Sequence, residues 1–126
     1  MKIIDVWEIL KDDADINEFV SSDKIYPGLV PKGIQPPFIS IYAISRSRQV
    51  FGNRAQRIQI SCFDPIYGRG QALADAVETA LEKLDGSLNI FAVHIESRVD
   101  LYENDSKLHH VAITGELHYN TRLIFN

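Results

Sequence analysis

This 126-residue chain holds one cysteine, one tryptophan and one methionine. A single thiol, Cys62, cannot pair within the chain, so no disulfide framework supports the fold. A chain of this length buries roughly two-thirds of its unfolded surface, so one core can form without such staples. Long hydrophobic runs are missing too. Charge interrupts every apolar stretch within roughly ten residues, short of the ~18 that a spanning helix needs. The opening MKIIDVWEIL has neither a basic nor an extended apolar region of the kind found in export signals, and a cytoplasmic, reducing origin is expected. Repeats, low-complexity tracts and dividing linkers are likewise missing, and residues 1–126 are read as one domain.

Acidic side chains are missing from one stretch in particular. Between Asp23 and Asp64 there is none, while Lys24, Lys32, Arg46, Arg48, Arg54 and Arg57 give that stretch a charge of +6. The whole chain carries −4, which leaves −10 for the remainder. Much of that lies early, at Asp5, Glu8, Asp12, Asp13, Asp15, Glu18 and Asp23. The modest net charge and a pI of about 5.5 argue against a protein devoted to nucleic acid. The segregation argues for a charge-complementary contact.

Periodicity supplies the elements. Ile3, Ile4, Trp7 and Leu10 recur at helical spacing, predicting a short N-terminal helix over 2–11, with a further turn at 15–20 that Asp15 can cap. Residues 25–33 mix β-formers with Pro and Gly and read as a short edge strand and a shaped loop. Strands follow at 38–45 and 56–63, the second with Ile58, Ile60 and Cys62 opposite Arg57, Gln59 and Ser61. The pattern turns helical over 70–84, where Leu73, Val77, Leu81 and Leu84 form a stripe widened by Ala72, Ala76 and Ala80, with Gly86 placed to end it. Beyond it, Val93, Ile95, Val99 and Leu101 alternate with His94, Glu96, Arg98 and Asp100, and Val111, Ile113, Leu117 and Tyr119 alternate with Ala112, Thr114, Glu116 and His118. A turn at Asn104, Asp105 and Ser106 joins these two strands. The expected class is α+β: an antiparallel sheet, half of it wet, with an N-terminal helix and one long amphipathic helix on one face. The hairpin around residues 46–54 is expected to project as a basic arm.

All four histidines, His94, His109, His110 and His118, fall in the terminal strand pair. A register in which facing positions sum to about 210 sets His94 against Glu116, diagonal to His118, and His110 against Asp100. Two imidazoles and a carboxylate are a metal-ligating set, and a small metal-assisted hydrolase is the corresponding alternative function. Against it, these positions are in the solvent-facing register, spacing such as HExxH is missing, and strand alternation provides no pocket. No metal and no cofactor are expected. Cys62 falls on the apolar face, where thiols are inert. Gly68 and Gly70 flank Arg69 without the Lys-Ser/Thr pair of a phosphate loop, and are expected to shape the start of the helix. The strongest site candidates are Arg46, Arg48, Arg54 and Arg57, with Phe51 at the hairpin tip. A basic arm with an aromatic tip suits an acidic neighbouring subunit, and also suits nucleic-acid backbone, the second alternative. The acidic early segment favours a head-to-tail contact between identical subunits.

The run Ile25, Tyr26, Pro27, Gly28, Leu29, Val30, Pro31, then Pro37 to Tyr42, then Ile58 to Phe63, followed by the Ala-rich helix and a strand carrying His109 and His110, resembles the tail-completion family of tailed bacteriophages, also called tail-to-head joining or tail terminator proteins. The resemblance spans about residues 5–120. Phe38 stands where tyrosine is expected, a change on a packing residue. The resemblance implies a non-enzymatic structural protein of the virion, assembled in the host cytoplasm as a ring, commonly a hexamer, on the end of the tail tube. Its implied partners are itself, the tail-tube protein and the head-connector or neck protein, with no membrane and no specific nucleic acid. It also implies that residues 46–54 extend toward neighbours.

Overall fold

A computed structural model describes residues 3–48, 53–86 and 90–120. In chain order these form α1 (Ile3–Leu10), α2 (Ala14–Asn17), a 3-10 turn at Ser22–Lys24, β1 (Ile25–Pro27), β2 (Phe38–Arg48), β3 (Asn53–Asp64), α3 (Tyr67–Glu82), β4 (Ile90–Glu103) and β5 (Leu108–Asn120). The five strands make one sheet in the order β1-β2-β3-β5-β4. Every neighbouring pair is antiparallel except β1 and β2, which run parallel through Ile25↔Ile39, Tyr26↔Ser40 and Pro27↔Ile41. The class is therefore α+β with a sheet antiparallel apart from its shortest edge strand. The loop from 28 to 37 returns the chain in the same direction, which residue patterning could not reveal.

Hydrophobic alternation places the core. On β3, Ile58, Ile60 and Cys62 point to the face that α3 covers, and on β5, Val111, Ile113, Leu117 and Tyr119 do the same. They meet Leu73, Ala74, Val77, Ala80 and Leu81 of α3 and Leu84 just past it, all within 3% of full burial. This is the helix stripe the spacing predicts, with Ala74 added to it. The helix starts at Tyr67, three residues before the expected Gly70. Asp64, with no exposed surface, organises that start: its Oδ1 accepts the Ile66 N–H at 2.8 Å and its Oδ2 accepts Arg69 Nε at 2.8 Å. Gly70 is buried here, and a Cβ on it would meet the Asp64 Cβ at 3.5 Å. Gly68 and Gly70 thus belong to the first turn of the helix. Past the C-cap at Lys83, Gly86 takes φ +88 and donates its N–H to Ile90 O at 2.8 Å, turning the chain away from the helix line.

At the N-terminus the buried positions of α1 among the described side chains are Val6 and Leu10, with Trp7 packed beside them, and the expected Ile3 and Ile4 lie outside those side chains. Trp7 donates Nε1–H to Ile25 O at 2.6 Å, which ties α1 to the edge strand, and Lys11 Nζ lies 4.4 Å over the indole. The cap of α2 is Asp13 and not Asp15: its Oδ1 accepts from the Asp15 and Ile16 N–H groups at 3.0 and 3.1 Å. The expectation failed by two residues because both positions are aspartate and spacing alone cannot choose between them.

The largest departure from simple alternation is in β4. Its register against β5 shifts at Ile90/Ala92 and again at Ile95/Ser97, so Phe91 and Glu96 are extra residues. Each inserted residue reverses which face the following side chains occupy. His94 still faces Glu116, as expected, but His110 faces Leu101 and not Asp100. Arg98 and Asp100 turn to the helix side, while Val99 and Leu101 turn outward and are about half exposed. Arg98 Nη1 reaches Asp75 Oδ1 at 2.6 Å and Glu78 Oε2 at 2.7 Å, and its Nη2 reaches Gln71 Oε1 at 2.6 Å and Gln71 O at 3.1 Å. Asp100 accepts from Gln71 Nε2 at 2.9 Å. The distal part of β4 is thus clamped to α3 by polar contacts where aliphatic packing was expected. Burial opposes the Arg98 charge, yet the bonds to Asp75 and Glu78 outweigh it and its pKa rises.

Candidate functional site

The buried residues of α1, α2 and α3 all cluster against one face of the sheet, with Ile39, Ile41, Ile58, Ile60, Val111 and Ile113, and the other face is turned away from the helices. Its side chains come from the alternate positions of the same strands, and the registers place them in rows. Phe38, Phe63, His110 and Leu101 form one row across β2, β3, β5 and β4. The rings are stacked, Phe38 on Phe63 at 4.8 Å between centroids and Phe63 on His110 at 4.2 Å. Burial in this stack lowers the His110 pKa, with Glu103 acting weakly in the opposite sense. The next row is Ser40, Ser61, Ala112 and Val99. Its small residues lie at the floor between taller neighbours, Ser40 being only 1% exposed.

Further along lies a charged row. Arg57 on β3 faces Glu116 on β5, which faces His94 on β4. Arg57 Nε lies 3.0 Å from Glu96 Oε2, its Nη2 donates to Glu96 Oε1 at 3.0 Å, and Glu116 Oε2 is 3.8 Å away. The hydrogen bond to Glu96 and its charge raise the Arg57 pKa. Glu116 Oε1 also meets His118 Nε2 at 2.7 Å. Both oxygens of this carboxylate are therefore engaged by neighbours, and no group of three or more His, Cys, Asp or Glu side chains among the described residues could hold a metal ion. The arrangement is a charged sheet surface in which Glu116, the carboxylate of the hydrolase alternative, meets Arg57 and His118.

The five residues singled out in the sequence are distributed as follows. Arg46 and Arg48 occupy the end of β2, paired with Gln56 and Arg54. Arg54 on β3 lies between Arg48 and Tyr119, half-buried and with contacts of its own. Arg57 is tied to Glu96 and Glu116 within the chain. Phe51 lies outside the described residues. The ladder toward this tip shifts once, between Ala43 and Ser45, and the Gln56 side chain fills the shift by donating Nε2–H to Ser45 O at 2.8 Å. Strand β5 stays beside β3 as far as Asn53↔Asn120. Four arginines are thus gathered on one end of β2 and β3, three of them beyond Arg57. Cys62 is fully buried and its thiol is pushed up to about 12 by that burial, which removes it as a nucleophile.

Sequence reasoning missed the aromatic row and the outward turn of Val99 and Leu101. The row could have been found from the β2–β3 register, since Phe38 and Phe63 terminate matching strands. The outward turn left no trace in residue alternation.

A search of curated proteins finds no significant match. A chain in the structure of the virion of a native gene transfer agent (GTA) particle superposes on this one with a TM-score of 0.75 at 15% identity, covering 91% of each chain, which shows a shared fold. The family model described as tail completion protein gp17 matches residues 5–119. A match over that extent, on a chain whose sheet, helices and exposed face have the order just described, places it: this chain belongs to the tail completion protein gp17 family, structural proteins of the phage tail within the virion.

Proposed function

We propose that this chain acts without catalysis, as one subunit of a ring that caps the growing end of the tail tube and offers its other side to the head connector. The family match over residues 5–119 carries this reading. The chemistry of the surface supports it: a stacked aromatic row and a floor of small residues share the open face, and the basic strand end at Arg46, Arg48 and Arg54 lies at the margin in the register of the other face. Partners are other copies of this chain, the tail-tube protein and the connector or neck protein, and the GTA chain that shares this fold comes from a virion particle. Capping is geometric. A ring that matches the tube's symmetry covers the edges to which the next tube subunit would add.

Within this reading Arg46, Arg48 and Arg54 at the end of the sheet, with Phe51 between them in the sequence, meet a neighbouring subunit or the tube. Charge complementarity with the acidic early segment speeds encounter and fixes register more than it adds affinity. Arg57 braces the sheet surface through Glu96 and is not available as a free cation. The test adds purified protein to tails assembled without it. Wild-type protein stops tube growth and permits head joining, whereas the Arg46→Glu, Arg48→Glu, Arg54→Glu triple variant folds and fails to do either. Normal capping by the triple variant would reject the basic arm as the contact.

A further inference from the structure

Both margins of the sheet are open for part of their length, and they are complementary. On one side β1 covers only Ile39, Ser40 and Ile41 of β2, so no described strand pairs with that edge of β2 from residue 42 to 48. On the other side β4, 14 residues long, is an edge strand along its whole length. Long open edges invite pairing with another chain, and soluble proteins ordinarily blunt them. Bulges interrupt β2 at Ala43/Ser45 and β4 at Ile90/Ala92 and Ile95/Ser97, but the register of β4 runs without a shift from Ser97 to Glu103. Of nine exposed large hydrophobic residues described, Phe91, Val99, Leu101 and Tyr102 lie on β4 and Ile44 lies on the open part of β2, so the apolar surface follows the two margins. Their charges are opposed as well. The open part of β2 carries Arg46 and Arg48. On β4, Glu96 and Arg98 are ion-paired within the chain, whereas Asp100, which accepts from Gln71, and Glu103, which accepts from Ser106, have no cation within 4 Å among the described residues.

We propose that the open part of β2 in one copy pairs, antiparallel, with residues 97–103 of β4 in a second copy, so that the sheet continues from subunit to subunit. In a sheet carried forward without a flip, β4 runs opposite to β2, as the alternation of β2, β3, β5 and β4 requires. The contact joins two different margins and is therefore head-to-tail, the type that closes into a ring. The inference rests on the ring reading above and specifies which surfaces make it.

The test uses tails assembled with mixtures of two single variants, Ser45→Cys and Val99→Cys, both at exposed outer-face positions, treated with a short bifunctional thiol reagent. Native Cys62 is buried and does not interfere. Covalent dimers are expected from the mixture and not from either variant alone. A Val99→Cys chain that cross-links to itself indicates a symmetric β4–β4 contact and overturns the proposal. Rings on the tails with no mixed cross-link overturn the strand pairing while leaving the ring reading intact, and tails that bind no ring overturn both. A Val99→Lys, Leu101→Lys variant supplies the second readout: a melting temperature within a few degrees of wild type with at least a tenfold loss of self-association. Undiminished association in that variant contradicts the pairing.

Discussion

The two faces of the sheet are made by the same strands and differ in almost every physical respect. On the covered face, Ile58, Ile60, Ile113 and Leu117 have no exposed surface and interlock with α3. One residue along each strand, Arg57, Gln59, Thr114 and Glu116 stand on the open face, where Arg57 meets Glu116 and Gln59 donates Nε2–H to Ser61 Oγ. Apolar burial is the main source of folding free energy, so stability is concentrated on the covered side. The open side carries aromatic and charged groups that contribute little to the isolated subunit, and these are the groups available to neighbours in the ring proposed above.

That contrast is broken most severely from the covered side. Leu81→Ala, at the centre of the helix stripe, is expected to cost about 2–5 kcal/mol in denaturant unfolding, because the close-packed site cannot collapse fully around the lost atoms. Next comes the joint between strand and helix. Asp64→Ala removes the acceptor of the Ile66 N–H and is expected to cost about 1–3 kcal/mol by the same measurement. On the open face, Thr114→Ala is expected to change stability by no more than about 0.5 kcal/mol. A loss there as large as at Leu81 would erase the distinction between the faces.

A pH measurement sharpens the comparison within the open face. His110 has a lowered pKa in the folded chain, so the unfolded chain binds more protons between the folded and unfolded values. Its contribution to stability is present above the unfolded value, about 6.5 for histidine, and is lost as pH falls toward the folded one. His110→Phe keeps the stack on Phe63 and should flatten the stability profile over that window in melts at successive pH values, whereas an unchanged slope would assign it to other groups. The smallest effect concerns Cys62. With its thiol raised to about 12 and no exposed surface, it should resist a thiol reagent at neutral pH until the chain opens.

Much of this division was legible in the sequence. The period of two on β3 and β5 named the covered residues correctly, and so did the helical stripe Leu73, Val77, Leu81 and Leu84, although Ala74 is buried beside it where Ala72 and Ala76 were expected. What escaped had no signature in period or composition. The extra residue Glu96 in β4 leaves the odd and even positions of the sequence unchanged while reversing the face of everything after it, so Val99 and Leu101 read as core and Arg98 as solvent. Asp13 and Asp15 are chemically equal candidates for one cap. The parallel pairing of β1 depends on the course of the loop after it. In the candidate site, the basic strand end was visible as a run of arginines, but the internal partner of Arg57 lies 39 residues away on β4 and only the fold brings it near.

Electron cryomicroscopy of tails assembled with the wild-type chain tests the central claim most directly. It should show one ring of this chain at the head-proximal end of the tube, with α3 buried within each subunit and the open sheet face and margins directed at neighbouring subunits or tube. Copies distributed along the tube, or a ring whose subunits meet only through the helix side, would contradict it.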